Sequence, residues 1–283
     1  MSKILITGGS GFIGSYLTQV LLQREYEVMV FDTKEGKHKK AQYCTGDISR
    51  KNDLKQCFQE KDIEKIIHLA ALMNGTAERV QEVNIEGTQN LLDLFNGEII
   101  SLNTGFIYQG QTGPYREDMG PLTPINDYGK TKLKAEELIL KRNGKSVRTS
   151  IAYGPGQEGS MFIPSLKQAI TRKETVKMTK GEQKRDFIHV QDLVRGIIAV
   201  MENKETGIFN IAYGESTELR EVVTIAREIM GNFSIDTSVP YRENEMWDYS
   251  FDISKAKRVL DWQPQINLKQ GLEQVLSASE ESF

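Results

Sequence analysis

Tyr128 and Lys132 stand four residues apart at the start of a stretch that reads as helical. One helical turn places the phenol and the ammonium on the same face, about 5–6 Å apart at Cβ. A free phenol has a pKa of about 10 and is a poor acid or base at neutral pH. A unit charge at about 4 Å, at an effective dielectric of about 20, supplies the roughly 4 kcal/mol that a shift to neutrality needs. We therefore expect Lys132 to lower the pKa of Tyr128 and to make it a proton donor and acceptor.

This pair alone does not establish catalysis, because tyrosine and lysine at helical spacing are more often a solvated surface contact. Of the ten tyrosines, only Tyr128 is followed four residues later by a lysine. A catalytic role for Tyr128 and Lys132 therefore requires elements that would hold a cofactor beside them.

A glycine-rich turn follows the first predicted strand directly. The apolar run from Lys3 to Thr7 is typical of a buried parallel strand, and the turn contains Gly8, Gly11 and Gly14. The early glycines permit a tight turn and close approach of the backbone to a pyrophosphate, and Gly14 lets the next helix pack on the strand. The helix N-terminus offers free N–H groups to the phosphates.

Asp32 ends the second predicted strand, eighteen residues after Gly14. A carboxylate there accepts hydrogen bonds from both hydroxyls of an adenosine ribose and repels a 2′-phosphate, which favours NAD over NADP. The lysines between residues 34 and 40 could soften that preference, but a solvated loop is the simpler interpretation. Strand, turn, helix, strand and acid in one unit predict a dinucleotide site rather than an unliganded turn. The residues predicted to hold the cofactor here are Gly8, Gly11, Phe12, Ile13, Gly14 and Asp32.

The glycine spacing, together with Tyr128 and Lys132, resembles the extended short-chain dehydrogenase/reductase family, of the NAD-dependent epimerase/dehydratase type. Asp47-Ile48 resembles the family's acid–aliphatic pair beside the adenine. His68-Leu69-Ala70-Ala71 resembles the segment that lines the cofactor. The resemblance therefore implies cofactor contacts for Asp47, Ile48, Leu69, Ala70, Ala71, Tyr128 and Lys132.

The end of the fifth predicted strand is where the family places its catalytic serine or threonine. Counting back from Tyr108 selects Thr104. The resemblance implies that this hydroxyl bonds the sugar oxygen that gains or loses a proton. Asn84-Ile85-Glu86-Gly87-Thr88 resembles the helix motif that lies behind the active site. A turn threonine at a strand end is the alternative interpretation of Thr104.

Two arginines are the candidates for substrate binding. Arg185 lies in a segment, residues 184–193, that resembles the one in nucleotide-sugar epimerases whose arginine binds the diphosphate. Bidentate guanidinium geometry suits that task. Arg242 resembles the second diphosphate arginine, with a surface salt bridge as an equal alternative. We interpret His189 as a structural histidine.

The resemblance departs from the family pattern at two places. Gly105 and Phe106 follow Thr104, where the 4,6-dehydratases carry an acid pair, so dehydration is disfavoured. Ile151 stands where many family epimerases and dehydratases carry an asparagine that reaches the substrate.

Different segments of the chain resemble enzymes of different reaction classes. Residues 106–133 resemble the dTDP-4-dehydrorhamnose reductase branch, whereas Asp32 and the Arg185 segment are epimerase-like. We expect reduction of a 4-keto nucleotide-diphosphate sugar by NADH, with Tyr128 as proton donor, Thr104 holding the ketone oxygen and Lys132 tuning the tyrosine. A C4 epimerase that uses NAD is the alternative, because the same residues serve both reactions. A non-catalytic dinucleotide-binding regulator is disfavoured, because all three catalytic residues are present.

Composition excludes several other classes. A net charge of −3 over 283 residues argues against a nucleic-acid binder. Cys44 and Cys57 make no disulfide framework, and three scattered histidines give no metal-ligand spacing, so we expect no metal. The chain begins directly with a strand pattern, and no apolar run approaches the roughly 18 residues that span a bilayer. We expect a cytoplasmic enzyme without a membrane partner.

Strand and helix patterns alternate to about residue 155 and predict an α/β fold, a Rossmann-type doubly wound parallel sheet. We predict an NAD-binding domain over residues 1–155 and a smaller α/β substrate-binding lobe over residues 156–283, interleaved with the last strands. Helices are expected over Met161–Thr171, Leu219–Met230 and Lys255–Leu260, and an extended segment over Thr175–Met178. The family's helices around Ala77–Phe95 and Tyr128–Leu140 pair across a dimer interface, so the resemblance implies a homodimer.

Overall fold

A computed structural model describes residues 3–58 and 62–278. The described chain divides into two compact units. The first comprises residues 3–58, 62–111, 117–149 and 194–210, and the second comprises residues 112–116, 150–193 and 211–278. In the described part of the chain, no helix combines the length and the apolar character needed to cross a membrane.

The strands are numbered in chain order. They are β1 Lys3–Thr7, β2 Glu27–Asp32, β3 Gln42–Thr45, β4 Lys65–His68, β5 Glu98–Thr104, β6 Lys145–Thr149, β7 Ile151–Tyr153, β8 Val176–Lys177, β9 Lys184–His189, β10 Gly207–Ile211, β11 Ser216–Glu218, β12 Ile235–Asp236 and β13 Asp248–Tyr249.

The helices are numbered in the same way. They are α1 Phe12–Gln23, α2 Lys51–Phe58, α3 Ala77–Gln81, α4 Gly87–Leu94, α5 Asp127–Leu140, α6 Phe162–Thr171, α7 Val190–Glu202, α8 Leu219–Met230, α9 Ser254–Leu260 and α10 Leu268–Ser277. A π-helical turn, Glu82–Glu86, joins α3 to α4, and a 3₁₀ turn, Gly105–Tyr108, follows β5.

The first unit is built on a seven-stranded sheet with the order β10-β6-β5-β4-β1-β2-β3. Ile4, Leu5 and Ile6 of β1 are all fully buried, as a strand covered on both faces requires. β1 pairs in parallel with β2 on one side and with β4 on the other, and β5 continues the parallel set. This order is that of a doubly wound dinucleotide-binding sheet, and the predicted fold class is confirmed.

Parallel pairing has a direct consequence for the site. Thr7 of β1 lies opposite His68 of β4, and His68 lies opposite Ser101 of β5. The carboxyl ends of these strands therefore meet at one edge of the sheet, which is the edge where ligands bind in open α/β sheets. The glycine turn and the segment after His68 both begin at this edge, and Thr104 lies at it.

The second unit is organised around β9. β7 and β13 pair with β9 in parallel and β11 pairs with it antiparallel, while β8 and β12 form a separate two-stranded sheet. Val222 and Ala226 of α8 pack with Leu272 and Val275 of α10 in one buried apolar cluster. Their spacing of three to four residues along each helix is that of a core-facing stripe.

Most of the elements expected in this lobe are found. The helix Leu219–Met230 is observed with both predicted ends. The helix expected from Met161 starts one residue later, because Met161 has extended backbone angles and serves as the N-cap. The extended segment shortens to Val176–Lys177. The division into an NAD-binding domain over residues 1–155 and a substrate-binding lobe over residues 156–283 stays a prediction.

Candidate active site

Two glycines of the N-terminal turn have no room for a side chain. Gly8 has φ +74°, and a Cβ on it would lie 2.7 Å from the amide nitrogen of Ala70. A Cβ on Gly14 would lie 2.2 Å from the carbonyl oxygen of Gly8. Since real Cβ atoms do not approach backbone so closely, both positions require glycine. The turn is thereby held tightly between α1 and the segment that follows β4.

Gly11 lies at the N-cap of α1 in an ordinary extended conformation. A Cβ here would lie 3.3 Å from the carbonyl oxygen of Gly8, so the constraint within the protein is mild. Gly11 has no side chain to cap the helix, and the first-turn amides of Phe12, Ile13 and Gly14 have no partner within α1. This turn fits a dinucleotide pyrophosphate, because it offers backbone donors at the positive end of a helix.

Asp32 is fixed beside this turn at the end of β2. Its Oδ2 accepts a hydrogen bond from the Ser10 amide at 3.0 Å, and its Oδ1 accepts one from the Thr33 amide at 2.7 Å. A carboxylate held by two backbone amides is in place to receive ribose hydroxyls on its remaining lone pairs. The four lysines of the following loop are exposed, in agreement with a solvated loop.

Asp47 and Ile48 have different surroundings. Asp47 accepts hydrogen bonds from the amide and hydroxyl of Ser49, and its other oxygen pairs with Arg79. Burial acts to raise the pKa of this carboxyl, but the Ser49 and Arg79 hydrogen bonds outweigh it and lower the pKa below its usual value. Ile48 is buried and lies against Gly87. The contacts of both residues with an adenine stay predictions.

His68 joins β1 to the helix layer through a chain of buried hydrogen bonds. Its Nδ1 lies 2.7 Å from Thr7 Oγ1, and its Nε2 lies 3.0 Å from Thr88 Oγ1. The Thr88 hydroxyl donates to the carbonyl of Asn84, so it accepts from His68 Nε2 and leaves Nδ1 to accept from Thr7. Burial, aided by the charge of Lys132, lowers the pKa of His68 to about 3, so the ring is neutral and structural.

The segment after β4 is attached to the glycine turn. The amide of Leu69 donates to the Thr7 carbonyl at 2.9 Å, and the amide of Ala70 donates to the Thr7 hydroxyl at 3.3 Å. Leu69 and Ala70 are half-buried, and Ala71 is exposed. The structure thus brings this segment beside Gly8, as a cofactor-lining role requires.

Asn84 holds the same region to α5. Its side chain accepts from the Leu72 amide at 2.7 Å, donates to the Leu72 carbonyl at 2.9 Å and donates to Thr131 Oγ1 at 3.0 Å. Asn84 lies in the π-helical turn, a distortion that often marks functional sites. The motif expected behind the active site therefore supports the helix that carries Tyr128 and Lys132.

The start of α5 packs on the turn that follows Thr104. The side chain of Asn126 caps the helix by accepting from the Gly129 amide at 2.6 Å. A Cβ on Gly129 would lie 3.1 Å from the carbonyl oxygen of Phe106, and the rings of Phe106 and Tyr128 meet edge to face at 6.4 Å. Tyr128 is thereby brought to the end of β5.

Thr104 and Lys132 complete the group. The Thr104 hydroxyl oxygen accepts from the Phe106 amide at 3.3 Å, which leaves its proton available for donation. Lys132 Nζ donates to the carbonyl of Leu102 in β5 at 2.7 Å. The structure therefore brings Thr104, Tyr128 and Lys132 together around the carboxyl end of β5.

The expected effect of Lys132 on Tyr128 is wrong for this structure. Burial of the hydroxyl raises the pKa of Tyr128 to about 12, although the side chain as a whole keeps some exposed surface. Burial lowers the pKa of Lys132 to about 8, and the carboxylate of Glu136 opposes that shift. Desolvation dominates both groups, and the ammonium is bonded to the Leu102 carbonyl.

Sequence reasoning missed two buried residues that contact this group. Asn103 hydrogen-bonds the amide of Thr104, and Glu136 accepts from Asn103. A signal was present in both cases: Asn103 directly precedes Thr104, the candidate catalytic threonine, and Glu136 stands one helical turn after Lys132.

Both substrate arginines lie in the second unit. Arg185 donates to the carbonyls of Lys184 and Met246 and forms an ion pair with Glu245, which is mostly buried. Arg242 is exposed, three residues before Glu245. The contact of either arginine with a diphosphate stays a prediction. Among the described residues, no cluster of three or more His, Cys, Asp or Glu side chains could hold a metal.

Comparison with known proteins gives a consistent family assignment. Residues 4–212 match the sequence profile of the NAD dependent epimerase/dehydratase family. The chain is 29% identical to a putative UDP-glucose 4-epimerase from Methanocaldococcus jannaschii, over 97% of each protein. It is 30% identical to UDP-glucuronic acid decarboxylase 6 of Arabidopsis thaliana, over 95% of this chain and 86% of that protein.

The fold is also similar to that of solved enzymes. The UDP-glucuronic acid 4-epimerase from Bacillus cereus, solved in complex with UDP-glucuronic acid and NAD, superposes with a TM-score of 0.87. The two sequences are 28% identical over 97% of this chain and 98% of that one.

The glycine turn generates a paired prediction. Gly14→Ala should lower the free energy of unfolding by about 1–3 kcal/mol, because its Cβ would overlap the Gly8 carbonyl. Gly11→Ala should keep nearly the full stability but bind NAD more weakly, since its Cβ enters the space where backbone and phosphates approach. Urea unfolding and calorimetric titration with NAD measure the two effects. Equal losses of stability in the two variants would contradict a structural requirement for glycine at position 14 and a cofactor-binding requirement at position 11.

The pKa of Lys132 predicts how kcat/KM depends on pH. Below about pH 8 Lys132 is charged and the Tyr128 phenolate that acts as the base becomes about tenfold more abundant per pH unit, so kcat/KM should rise with pH. Above about pH 8 Lys132 loses the charge that favours the phenolate, so kcat/KM should level off. The thermal midpoint, followed over the same pH range, controls for unfolding. A kcat/KM that keeps rising about tenfold per unit up to about pH 9.5 would rule out an effect of the Lys132 charge on Tyr128.

Proposed function

The chain belongs to the NAD-dependent epimerase/dehydratase family, and we propose that it is a C4 epimerase of UDP-sugars that uses NAD. It is an enzyme of the NAD-dependent nucleotide-sugar epimerase/dehydratase type. The relatives named above act on UDP-sugars, and two of them are 4-epimerases by name. They support the epimerase, which the sequence analysis kept as the alternative, better than the 4-keto reductase that it favoured.

One observation carries the catalytic part of the proposal. Lys132 contacts Leu102 and Tyr128 contacts Phe106, two residues before and two residues after Thr104, at the same sheet edge and in the same unit as the glycine turn. A pyrophosphate at the N-terminus of α1 and a ribose at Asp32 use groups that the protein already holds in place. NAD, when bound, supplies the oxidation and the reduction by taking up a hydride from the sugar and returning it.

The chain's own residues handle the proton. Tyr128 takes the proton from the C4 hydroxyl and returns it after the ketone has turned its other face. Thr104 donates its free hydroxyl proton to the same oxygen and keeps it in reach of the phenol. The sugar regains what it lost, so no cofactor is consumed.

The first half-reaction requires a phenolate. The pKa of Tyr128 therefore has to fall from the value that burial gives it. The positive charge of Lys132, one helical turn away, acts in that direction, although desolvation of the hydroxyl outweighs it in the structure. In the second half-reaction the raised pKa is an advantage, because it makes Tyr128 keep its proton until the oxyanion forms.

Product analysis tests the function. Purified protein is incubated with UDP-glucose, UDP-glucuronate and UDP-N-acetylglucosamine, and separately with a dTDP-4-keto-6-deoxy sugar plus NADH, and products are read by NMR. Appearance of the C4 epimer without net cofactor consumption is the expected result. Stoichiometric loss of NADH with only the keto sugar turned over would establish the reductase instead. Binding of NAD with no turnover at all would favour the regulator.

Removal of the phenol hydroxyl tests the catalytic assignment. Tyr128→Phe should lower kcat at least about 100-fold, because a positioned acid–base group contributes about 10²–10⁴-fold. Tyr26→Phe is the matched control, because Tyr26 bonds Glu202 at the exposed surface and should keep full activity. Full activity of Tyr128→Phe would remove the whole catalytic assignment.

The same proposal has three further parts. Arg185 and Arg242 bind the diphosphate of the substrate, the protein assembles as a homodimer through α3–α4 and α5, and it is located in the cytoplasm. Light scattering of the purified protein measures the assembly. A mass of twice the chain's 32.1 kDa is the expected value.

A further inference from the structure

Asn103 is a buried polar residue at the end of β5, with 3% of its surface exposed. Successive side chains of a strand point to opposite faces, and the side chain of Asn103 is directed at α5. Its next neighbour along the chain is Thr104. A buried amide needs partners for one acceptor and two donors, and the identity of those partners is informative.

The partners of Asn103 are the candidate catalytic residues and their helix. Its Oδ1 accepts from the amide of Thr104 at 2.8 Å. Its Nδ2 donates to Glu136 Oε2 at 2.8 Å and lies 3.4 Å from the carbonyl oxygen of Lys132. One side chain thus connects the strand end that carries Thr104 with the helix that carries Tyr128 and Lys132.

Glu136 gives this connection a fixed anchor. Its carboxylate receives Arg148 Nε at 3.1 Å and Nη2 at 2.5 Å, in a pair that is almost fully buried on both sides. The Ser146 hydroxyl adds a third donor at 2.6 Å. Charge-assisted bonds in a site without solvent hold the carboxylate in one orientation, and Arg148 is itself bonded to Tyr108 Oη at 2.7 Å.

We propose that Asn103 is a positioning residue, which sets the distance between Thr104 and the Tyr128–Lys132 face of α5 by bridging the Thr104 amide to the anchored carboxylate of Glu136. The proposal rests on the catalytic roles given above and adds the support that fixes them. Reacting groups have to be held within about 0.5 Å, and displacement by about 1 Å can cost on the order of 10²-fold in rate.

A matched pair of variants separates positioning from simple stability. Asn103→Ala and Ser146→Ala each remove one donor from Glu136 Oε2 at a buried position. Only Asn103 also reaches Thr104 and Lys132. We expect Asn103→Ala to lower kcat by about 10–100-fold with KM changed by less than about threefold. Ser146→Ala should leave kcat within about threefold, with a comparable fall in thermal midpoint.

Equal loss of kcat in the two variants would overturn the proposal, as would a loss by Asn103→Ala that appears in KM alone. Asn103→Leu keeps the volume of the side chain without its polar contacts. It repeats the comparison if Asn103→Ala fails to fold, with the same expected and contrary results.

A second measurement does not depend on turnover. Hydrogen exchange of the Thr104 amide, followed by NMR with ¹⁵N-threonine, should be faster in Asn103→Ala than in the wild type and unchanged in Ser146→Ala. Unchanged exchange in Asn103→Ala would overturn the proposal. Wild-type protein that turns over no sugar would contradict the proposed function, whereas this exchange comparison would still decide the role of Asn103.

Discussion

Polar groups buried beneath the sheet edge must find protein partners, and this constraint shapes the candidate site. An unpaired buried polar group costs about 1–3 kcal/mol, so partners are found even across long stretches of sequence. Thr7 meets His68 from 61 residues away, and Asn103 meets Glu136 from 33 residues away. Each bond that satisfies a buried group also fixes the end of a strand or the face of a helix.

Helix α5 shows how these bonds act together. One chain of contacts reaches it at Thr131 through Asn84, and another reaches Lys132 and Glu136 through Asn103. The two attachments lie within about one and a half helical turns, so the helix can neither slide nor rotate without breaking one of them. Rigid support of this kind is what acid–base chemistry between separate elements requires.

Burial also sets the protonation states of the reacting groups. The same desolvation raises the pKa of Tyr128 to about 12 and lowers that of Lys132 to about 8. The acid is therefore held protonated and the cation is held close to losing its charge. The phenol is thus committed to its protonated form, which suits the reduction step, and the oxidation step needs positive charge near the hydroxyl to favour the phenolate.

The reaction class has a different origin from the catalytic group. Tyr128, Thr104 and Lys132 serve reduction and epimerisation equally, so their presence could not choose between the two. Residues 106–133 favoured a reductase, and the whole-chain relatives favour an epimerase. The relatives therefore support the epimerase alternative better than the predicted reductase, which a local resemblance in one segment had favoured.

The glycine turn, the parallel sheet and the Tyr128–Lys132 pair could be predicted from local spacing, whereas Thr104 was a candidate by family resemblance, and the catalytic role of all three stays a proposal. The turn at Gly8 and Gly14 and the buried strand β1 are recognisable within a few residues of sequence. The structure adds the steric reason for the two glycines, which is that a Cβ at either position would overlap backbone atoms. Only the tertiary structure decided the partners of Asn103 and Arg185, since Glu136 and Glu245 arrive from distant segments. It also decided the pKa of Tyr128, because desolvation depends on everything packed around a group and not on its neighbour along the helix.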